Sequence, residues 1–200
     1  MGRIEEFNKL KEEIKNCRIC SDYFGFIPRP YFFGRIDSKI VQISQAPSKM
    51  VHYSGKPFND KSGERLREWY GIDEETFYDE RIFYITSLSH CYPGKNNNRD
   101  NKPPLICAKK FLLRELKLIE NEIYIIVGSM AAKFLFPNQD FTYLVFNSPL
   151  NLNNKPAYII PHPSPQNIRW LKQNPEFYES CLPNLRKVIK KMVREVKNGR

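Results

Sequence analysis

Three short apolar runs set the strongest limit on what this chain can fold into. They cover residues 39–44 (KIVQIS), 81–86 (RIFYIT) and 122–127 (EIYIIV), and a shorter run covers residues 157–160. Continuous apolar runs of this length are typical of strands that are buried on both faces of a sheet. Helix-like segments precede and separate them, for example residues 4–15 before the first run and residues 105–120 before the third. This alternation predicts a three-layer α/β/α sandwich around a central, mostly parallel, four-stranded sheet.

Length and charge indicate one domain with a polyanionic partner. A chain of 200 residues can bury one sizeable core, so we expect a single domain over residues 1–200. The formal net charge of +10 suits nucleic acid. No stretch approaches the ~20 apolar residues of a membrane helix, and the N-terminus lacks the apolar centre of a signal peptide. We therefore expect a cytoplasmic monomer that does not associate with a membrane.

The cysteine pattern predicts a metal site. Cys17 and Cys20 form a C-x2-C pair, while Cys91 and Cys107 flank a long polar loop. A C-x2-C turn lets two thiolates face one metal centre, and the distant pair can complete four-fold coordination after folding. The ligands alone leave structural zinc and an iron–sulfur cluster equally open. The fifth cysteine, Cys181, is expected to be a small buried hydrophobe.

Three polar loops directly follow predicted strands. They cover residues 45–48, 87–93 and 162–167. Ligands of open α/β sheets bind outside the carboxyl ends of the strands, so we expect these loops to meet around one site.

The order of the motifs resembles family 4 of the uracil-DNA glycosylases, the thermophile-type branch that contains an iron–sulfur cluster. The resemblance runs from Cys17 to about Arg186. In order along the chain, it rests on C-x2-C, a strand-end Q-A-P loop, S-G-K-P-F followed by S-G-x-x-L, H-C-Y-P, a cysteine that begins a helix, and H-P-S-P. It implies that Cys17, Cys20, Cys91 and Cys107 bind a [4Fe-4S] cluster, with structural zinc as the alternative.

The resemblance also implies roles in the active site. His162 occupies the position of the histidine that stabilises the leaving base, and Phe58 that of the aromatic ring on which the extruded base stacks. Gln45 belongs to the first catalytic motif but lacks a carboxylate, and Ser87 stands where the family has an Asn that pairs with the uracil edge. The remaining residues expected to contact the base are Ala46, Pro47, Ser48 and Asn167.

A further set of residues is expected to contact the DNA outside the base pocket. Ser164, Lys95 and Arg99 are candidate phosphate contacts. Ile168, Arg169 or Trp170 could wedge into the stack that the base vacates, although Trp170 is equally compatible with the core. The basic residues 186–200 are expected to form a solvated helix face.

Together, these features predict a DNA-repair glycosylase that extrudes a deaminated base, most simply uracil, and hydrolyses its N-glycosidic bond. Because Gln45 and Ser87 depart from the family, two alternatives stay open. One is a glycosylase for another damaged base, such as hypoxanthine or xanthine. The other is a catalytically inactive relative that only binds DNA.

Overall fold

The computed structural model of the chain describes residues 2–96 and 99–199, without the side chain of Arg99. Its α-helices are α1 Arg3–Lys15, α2 Ser21–Phe24, α3 Lys49–Ser54, α4 Lys61–Tyr70, α5 Glu74–Phe77, α6 Leu105–Cys107, α7 Leu113–Leu118, α8 Ser129–Leu135, α9 Phe141–Phe146, α10 Ile168–Gln173 and α11 Leu182–Lys197. Its strands are β1 Ile40–Ser44, β2 Phe83–Ser87, β3 Lys95–Asn96, β4 Arg99–Asp100, β5 Ile123–Val127, β6 Leu150–Leu152 and β7 Lys155–Ile160. Within the described ranges, no helix combines the length and apolarity needed to cross a membrane.

The main sheet has the order β2-β1-β5-β7-β6. Strands β2, β1, β5 and β7 are parallel, with Ile40 opposite both Phe83 and Ile123. The mostly parallel sheet is therefore confirmed, but the prediction of four strands was wrong because β6 adds a fifth, antiparallel to β7. Asn153 and Asn154 have positive φ angles of 51° and 62°, which suits the tight turn between β6 and β7.

Alternate side chains of β2 contact helices on opposite faces of the sheet. On one face, Tyr84 donates a hydrogen bond to the buried Glu115 of α7. On the other face, Phe83 stacks on Tyr70 of α4, with ring centroids 6.0 Å apart. This alternation places β2 between two helical layers, as the sandwich prediction requires.

The predicted helices need local correction. The segment predicted as one helix over residues 105–120 contains a π-helical turn, Ala108–Leu112, between α6 and α7, and α7 ends at Leu118. A second π turn, Phe177–Cys181, precedes α11. The long polar loop between Cys91 and Cys107 carries the small β3–β4 hairpin.

Candidate active site

A cavity of about 450 Å³ lies at the carboxyl edge of the main sheet. The three loops singled out in the sequence meet there, because residues 45–48, Ser87 and several residues of 162–167 all line it. A fourth wall, residues 127–130 at the end of β5, was not anticipated. The loops converge because strands β1, β2, β5 and β7 are parallel, so that their carboxyl ends lie at the same edge of the sheet.

Two rings face this cavity from different elements. Phe58, in the loop before α4, and His162, directly after β7, have ring centroids 6.4 Å apart and ring planes tilted by 32°. Both side chains are partly buried, so each has one side against protein and another towards the cavity. A flat, polar heterocycle fits such a place, because one ring offers a stacking face and the other a hydrogen-bonding group.

The backbone of Phe58 is held in an uncommon conformation. Its φ angle is +51°, in the left-handed region that bulky residues rarely adopt. Gly63 makes this possible, because a Cβ there would lie 1.7 Å from the Phe58 carbonyl oxygen. That oxygen accepts a hydrogen bond of 3.2 Å from Arg67. Gly63, in the S-G-x-x-L motif, thus allows the backbone conformation that positions the Phe58 ring of the S-G-K-P-F motif.

His162 is oriented by its own loop. The backbone N–H of Ser164 donates to His162 Nδ1 at 3.2 Å, and the Asn167 amide donates to the His162 carbonyl oxygen at 2.9 Å. Burial lowers the pKa of His162, opposed in part by the negative charge of Asp60. The ring is therefore neutral at pH 7, and because Nδ1 accepts a hydrogen bond, Nε2 carries the only N–H of the ring.

The loop of residues 45–48 forms one wall of the cavity. Ser48 caps α3, since its hydroxyl accepts a hydrogen bond from the Val51 N–H at 3.4 Å. Gln45, Ala46 and Pro47 line the cavity without offering a carboxylate. This part of the cavity wall therefore supplies no acidic side chain.

Ser87 is buried and lines the cavity, but its hydroxyl is already engaged. It donates to the Ser89 carbonyl oxygen at 2.6 Å. The hydroxyl oxygen keeps acceptor capacity, while its hydrogen is committed within the loop. Ser87 therefore cannot present the donor–acceptor pair of an amide.

Three acidic or phenolic residues of the cavity wall escaped the sequence analysis. Two are the carboxylates Asp60 and Asp100, and the third is Tyr31, whose buried hydroxyl has no hydrogen-bond partner within the described part of the chain. Asp60 is committed to the N-terminus of α4, where it accepts from the Gly63 N–H at 2.9 Å. Its place three residues before Gly63 is an N-cap signal that the sequence did contain. Asp100 arrives on β4, inside a loop too polar to be read as an element.

The residues expected to contact DNA lie in different settings. Ser164 lines the cavity, Lys95 is exposed on β3, and Ile168 and Arg169 are exposed at the start of α10. The side chain of Arg99 lies outside the described residues. Trp170 is not a free wedge, because its indole N–H donates to Thr142 at 3.0 Å and its ring packs in the core.

The four cysteines singled out in the sequence line one small apolar cavity. Burial raises the pKa of the Cys107 thiol to about 11, and the nearby thiols Cys17 and Cys20 add to this rise. Thiols are the donor type of both iron–sulfur clusters and structural zinc sites. Among the described residues, no group of three or more His, Cys, Asp or Glu side chains is arranged to hold a single metal ion. The fifth cysteine, Cys181, is partly buried against the core.

A buried histidine–glutamate pair joins the cysteine loop to β2. Glu115 lies 3.0 Å from Nε2 of His90, the neighbour of Cys91, and also accepts from Thr86 at 3.2 Å. The backbone N–H of His90 donates to the Cys107 sulfur at 3.4 Å. The cysteine site and the carboxyl end of β2 are thus parts of one packed unit.

These features define the chain as an α/β/α-sandwich protein with a ligand cavity formed by strand-end loops. The sequence profile of the uracil DNA glycosylase superfamily matches residues 31–186. The chain belongs to the uracil-DNA glycosylase superfamily.

Two curated proteins with similar sequences are both named type-4 uracil-DNA glycosylase. A protein of Archaeoglobus fulgidus named type-4 uracil-DNA glycosylase is 28% identical over 141 residues, which cover 66% of this chain and 65% of that protein. A protein of the same name from Thermotoga maritima is 24% identical over 132 residues, which cover 66% of this chain and 67% of that protein. The chain thus spans about two thirds of the length of these relatives.

Proposed function

We propose that this protein is a DNA-repair glycosylase that extrudes a deaminated base, uracil in the first place, and hydrolyses its N-glycosidic bond. The placement of Phe58 and His162 across one cavity, 6.4 Å apart, carries this proposal. A base that leaves the DNA stack needs a new stacking partner and polar contacts at its edge. Membership of the superfamily and the names of the two relatives support the same activity.

His162 stabilises the leaving base. Cleavage of the N-glycosidic bond leaves the base as an anion, whose negative charge is shared by its carbonyl oxygens. A neutral imidazole with its proton on Nε2 donates to such an oxygen without moving, because Ser164 already fixes the ring through Nδ1. A preorganised donor of this kind contributes about 3–4 kcal/mol to lowering a barrier.

Asp100 supplies the carboxylate that the first motif lacks. Gln45 and Ala46 cannot be ionised, and Asp60 is engaged as a helix cap, whereas Asp100 also lines the cavity. A carboxylate in this place stabilises the positively charged sugar of the transition state and orients the attacking water.

Release of free base from oligonucleotides tests the proposal. The wild type should release uracil, while His162→Ala should reduce release by at least about 100-fold, as removal of one preorganised donor does. Phe58→Ala should reduce release by about 5- to 150-fold, as loss of one stacking contact does. Tyr143→Ala, a change of an exposed residue that does not line the cavity, serves as the control. A wild type that binds the oligonucleotide but leaves it intact would identify the protein as a binding relative without activity.

The Ser87 loop favours a second substrate class. Because the Ser87 hydroxyl donates to Ser89, it does not offer the donor and acceptor pair with which an amide side chain would select uracil. A cavity of about 450 Å³ also has room for a purine. Oligonucleotides that each contain one uracil, hypoxanthine or xanthine should therefore be compared under the same conditions. Faster release of hypoxanthine or xanthine than of uracil would assign the protein to the second class.

For the cofactor, we propose a [4Fe-4S] cluster held by Cys17, Cys20, Cys91 and Cys107. All four thiols line one apolar cavity, and the resemblance to family 4 favours the cluster over zinc. When bound, such a group would join four distant points of the chain and stabilise the loops between them. Iron and sulfide analysis of anaerobically purified protein should give four of each per chain. A colourless protein that contains zinc would contradict the assignment.

We further propose that the protein works as a cytoplasmic monomer on DNA, with Ser164 and the exposed Lys95, Ile168 and Arg169 in contact with the strand. The positive net charge and the position of these residues near the cavity loops support this placement. Light scattering of the purified protein, alone and with DNA, tests the oligomeric state. Fractionation of the cells of origin tests the location.

A further inference from the structure

A row of five aromatic rings lies outside the active-site cavity. Neighbouring ring centroids along the row are between 5.1 and 5.7 Å apart. In order, the rings of this aromatic row belong to Tyr23, Phe24, Phe26, His52 and Tyr53. The first three follow Cys20 in sequence, whereas the last two lie on α3.

The two ends of the aromatic row are open to solvent. Tyr23 is 69% exposed and Tyr53 is 66% exposed, and the apolar neighbours Ile27 and Met50 are exposed as well. Contiguous exposed apolar side chains generally mark a binding surface. The inner rings have a structural explanation, since they pack on one another, but the exposure of both terminal rings has none in the fold.

The last two rings of the aromatic row lie on a helix that borders the cavity. Ser48 and Val51 line the cavity, and His52 and Tyr53 directly follow Val51 on α3. Helix α3 therefore contributes residues to both the cavity wall and the aromatic row.

Cations lie beside the row. The Lys49 ammonium is 6.0 Å from the centroid of the Tyr53 ring. Arg29 is exposed and near enough to His52 that its charge, together with the larger effect of burial, lowers the pKa of that histidine. His52 is thus neutral at pH 7 and behaves as one more aromatic ring. Stacking rings flanked by cations are what an unpaired nucleic acid strand requires.

We propose that the aromatic row is a stacking platform for unpaired nucleotides next to the extruded base, so that the protein prefers single-stranded over double-stranded DNA. The inference rests on the proposed glycosylase function, since it takes the strand to continue from the cavity. Bases in a duplex are already stacked on one another and cannot cover Tyr23 and Tyr53. The platform reads no sequence, because every base offers a π face.

Binding of an oligothymidylate tests the platform without any reaction. Fluorescence anisotropy should show that the double variant Tyr23→Ala/Tyr53→Ala binds the single strand about tenfold more weakly than the wild type, a loss typical of one or two stacked bases. Binding of the same strand annealed to its complement should change by less than about twofold. Tyr53→Trp should retain affinity because it keeps a ring.

Tyr143→Ala is the matched control, because Tyr143 is 54% exposed on α9 and outside the row. Tyr53→Leu keeps the apolar bulk without the ring, so it separates loss of stacking from loss of folding, which melting curves also monitor. Unchanged single-strand affinity in a folded double variant would overturn the platform, and so would equal losses on single and double strands. Uracil release by the wild type is measured separately, and its absence would refute the glycosylase proposal without altering how the binding result is interpreted.

Discussion

At the residue scale, the protonation of His162 links the structure to a pH profile. Burial lowers the pKa of this histidine, so the neutral form persists to a lower pH than the ordinary value of about 6.5. A proton added to Nδ1 would break the hydrogen bond from Ser164 and turn the ring. We expect kcat/KM for base release to be constant at neutral pH and to fall only below about pH 6.5.

The variant His162→Gln separates this group from other titrations. Gln keeps a donor but does not titrate, so the acid limb should disappear while the rate falls by about 100- to 1000-fold. Rates of base release measured between about pH 4.5 and 8.5, with folding checked at each pH, show whether the acid limb is present in the variant. An acid limb that persists in His162→Gln would mean that another group controls it.

Asp100 provides the second prediction for a single residue. If its carboxylate orients water or stabilises the sugar cation, Asp100→Asn should lower kcat by about 100-fold or more with little change in KM. Asp60→Asn is the matched control, because Asn also caps helices and the Gly63 N–H would keep its acceptor. Single-turnover release of base measures both variants. Equal small losses would remove Asp100 from the mechanism.

At the scale of elements, the first turn of α4 controls the stacking ring. Gly63→Ala would place a Cβ 1.7 Å from the Phe58 carbonyl oxygen, which forces the loop away from its position. We expect a loss of stability of about 1–3 kcal/mol, as in other overpacked sites, together with a loss of activity that approaches that of Phe58→Ala. Glu64→Ala, an exposed change in the same turn, should alter neither. Thermal melting and base release, measured on the same samples, test this link; a fully active Gly63→Ala would break it.

The same scale shows what the sequence could and could not predict. Strands β1, β2, β5 and β7 were predictable because short, continuous apolar runs between polar loops are typical of strands buried in a sheet. Strand β6 was not, because three residues with a central Asn carry no strand signal of their own and pair only because the Asn153–Asn154 turn returns the chain. The fixed tautomer of His162 was equally hidden, since it depends on a backbone N–H two residues away. Asp100 was missed because it lies in a small hairpin whose strands have two residues each. Such short strands leave no periodic pattern in the sequence.

At the scale of the whole molecule, the net charge of +10 is distributed over surfaces with different roles. Helix α11 contributes many cations, but its buried side packs on α4, where Arg186 donates to the carbonyl oxygens of Glu68 and Trp69. These carbonyls lie at the carboxyl end of α4. The opposite end of that helix borders the cavity, with Asp60 about 12 Å from Glu68 along the helix axis. The exposed lysines of α11 are therefore remote from the proposed path of the strand.

This arrangement predicts which charges control the salt dependence of binding. Each phosphate neutralised on a single strand adds about 0.7 to the slope of log K against log salt. The double change Lys49→Gln/Lys95→Gln should reduce that slope by about 1.4, since both side chains are exposed near the cavity loops. The triple change Lys187→Gln/Lys190→Gln/Lys191→Gln on α11 removes one more charge, yet it should leave the slope within about 0.5 of the wild type. Anisotropy titrations over a series of NaCl concentrations measure all three proteins, and a larger effect of the α11 variant would show that DNA binds across that helix.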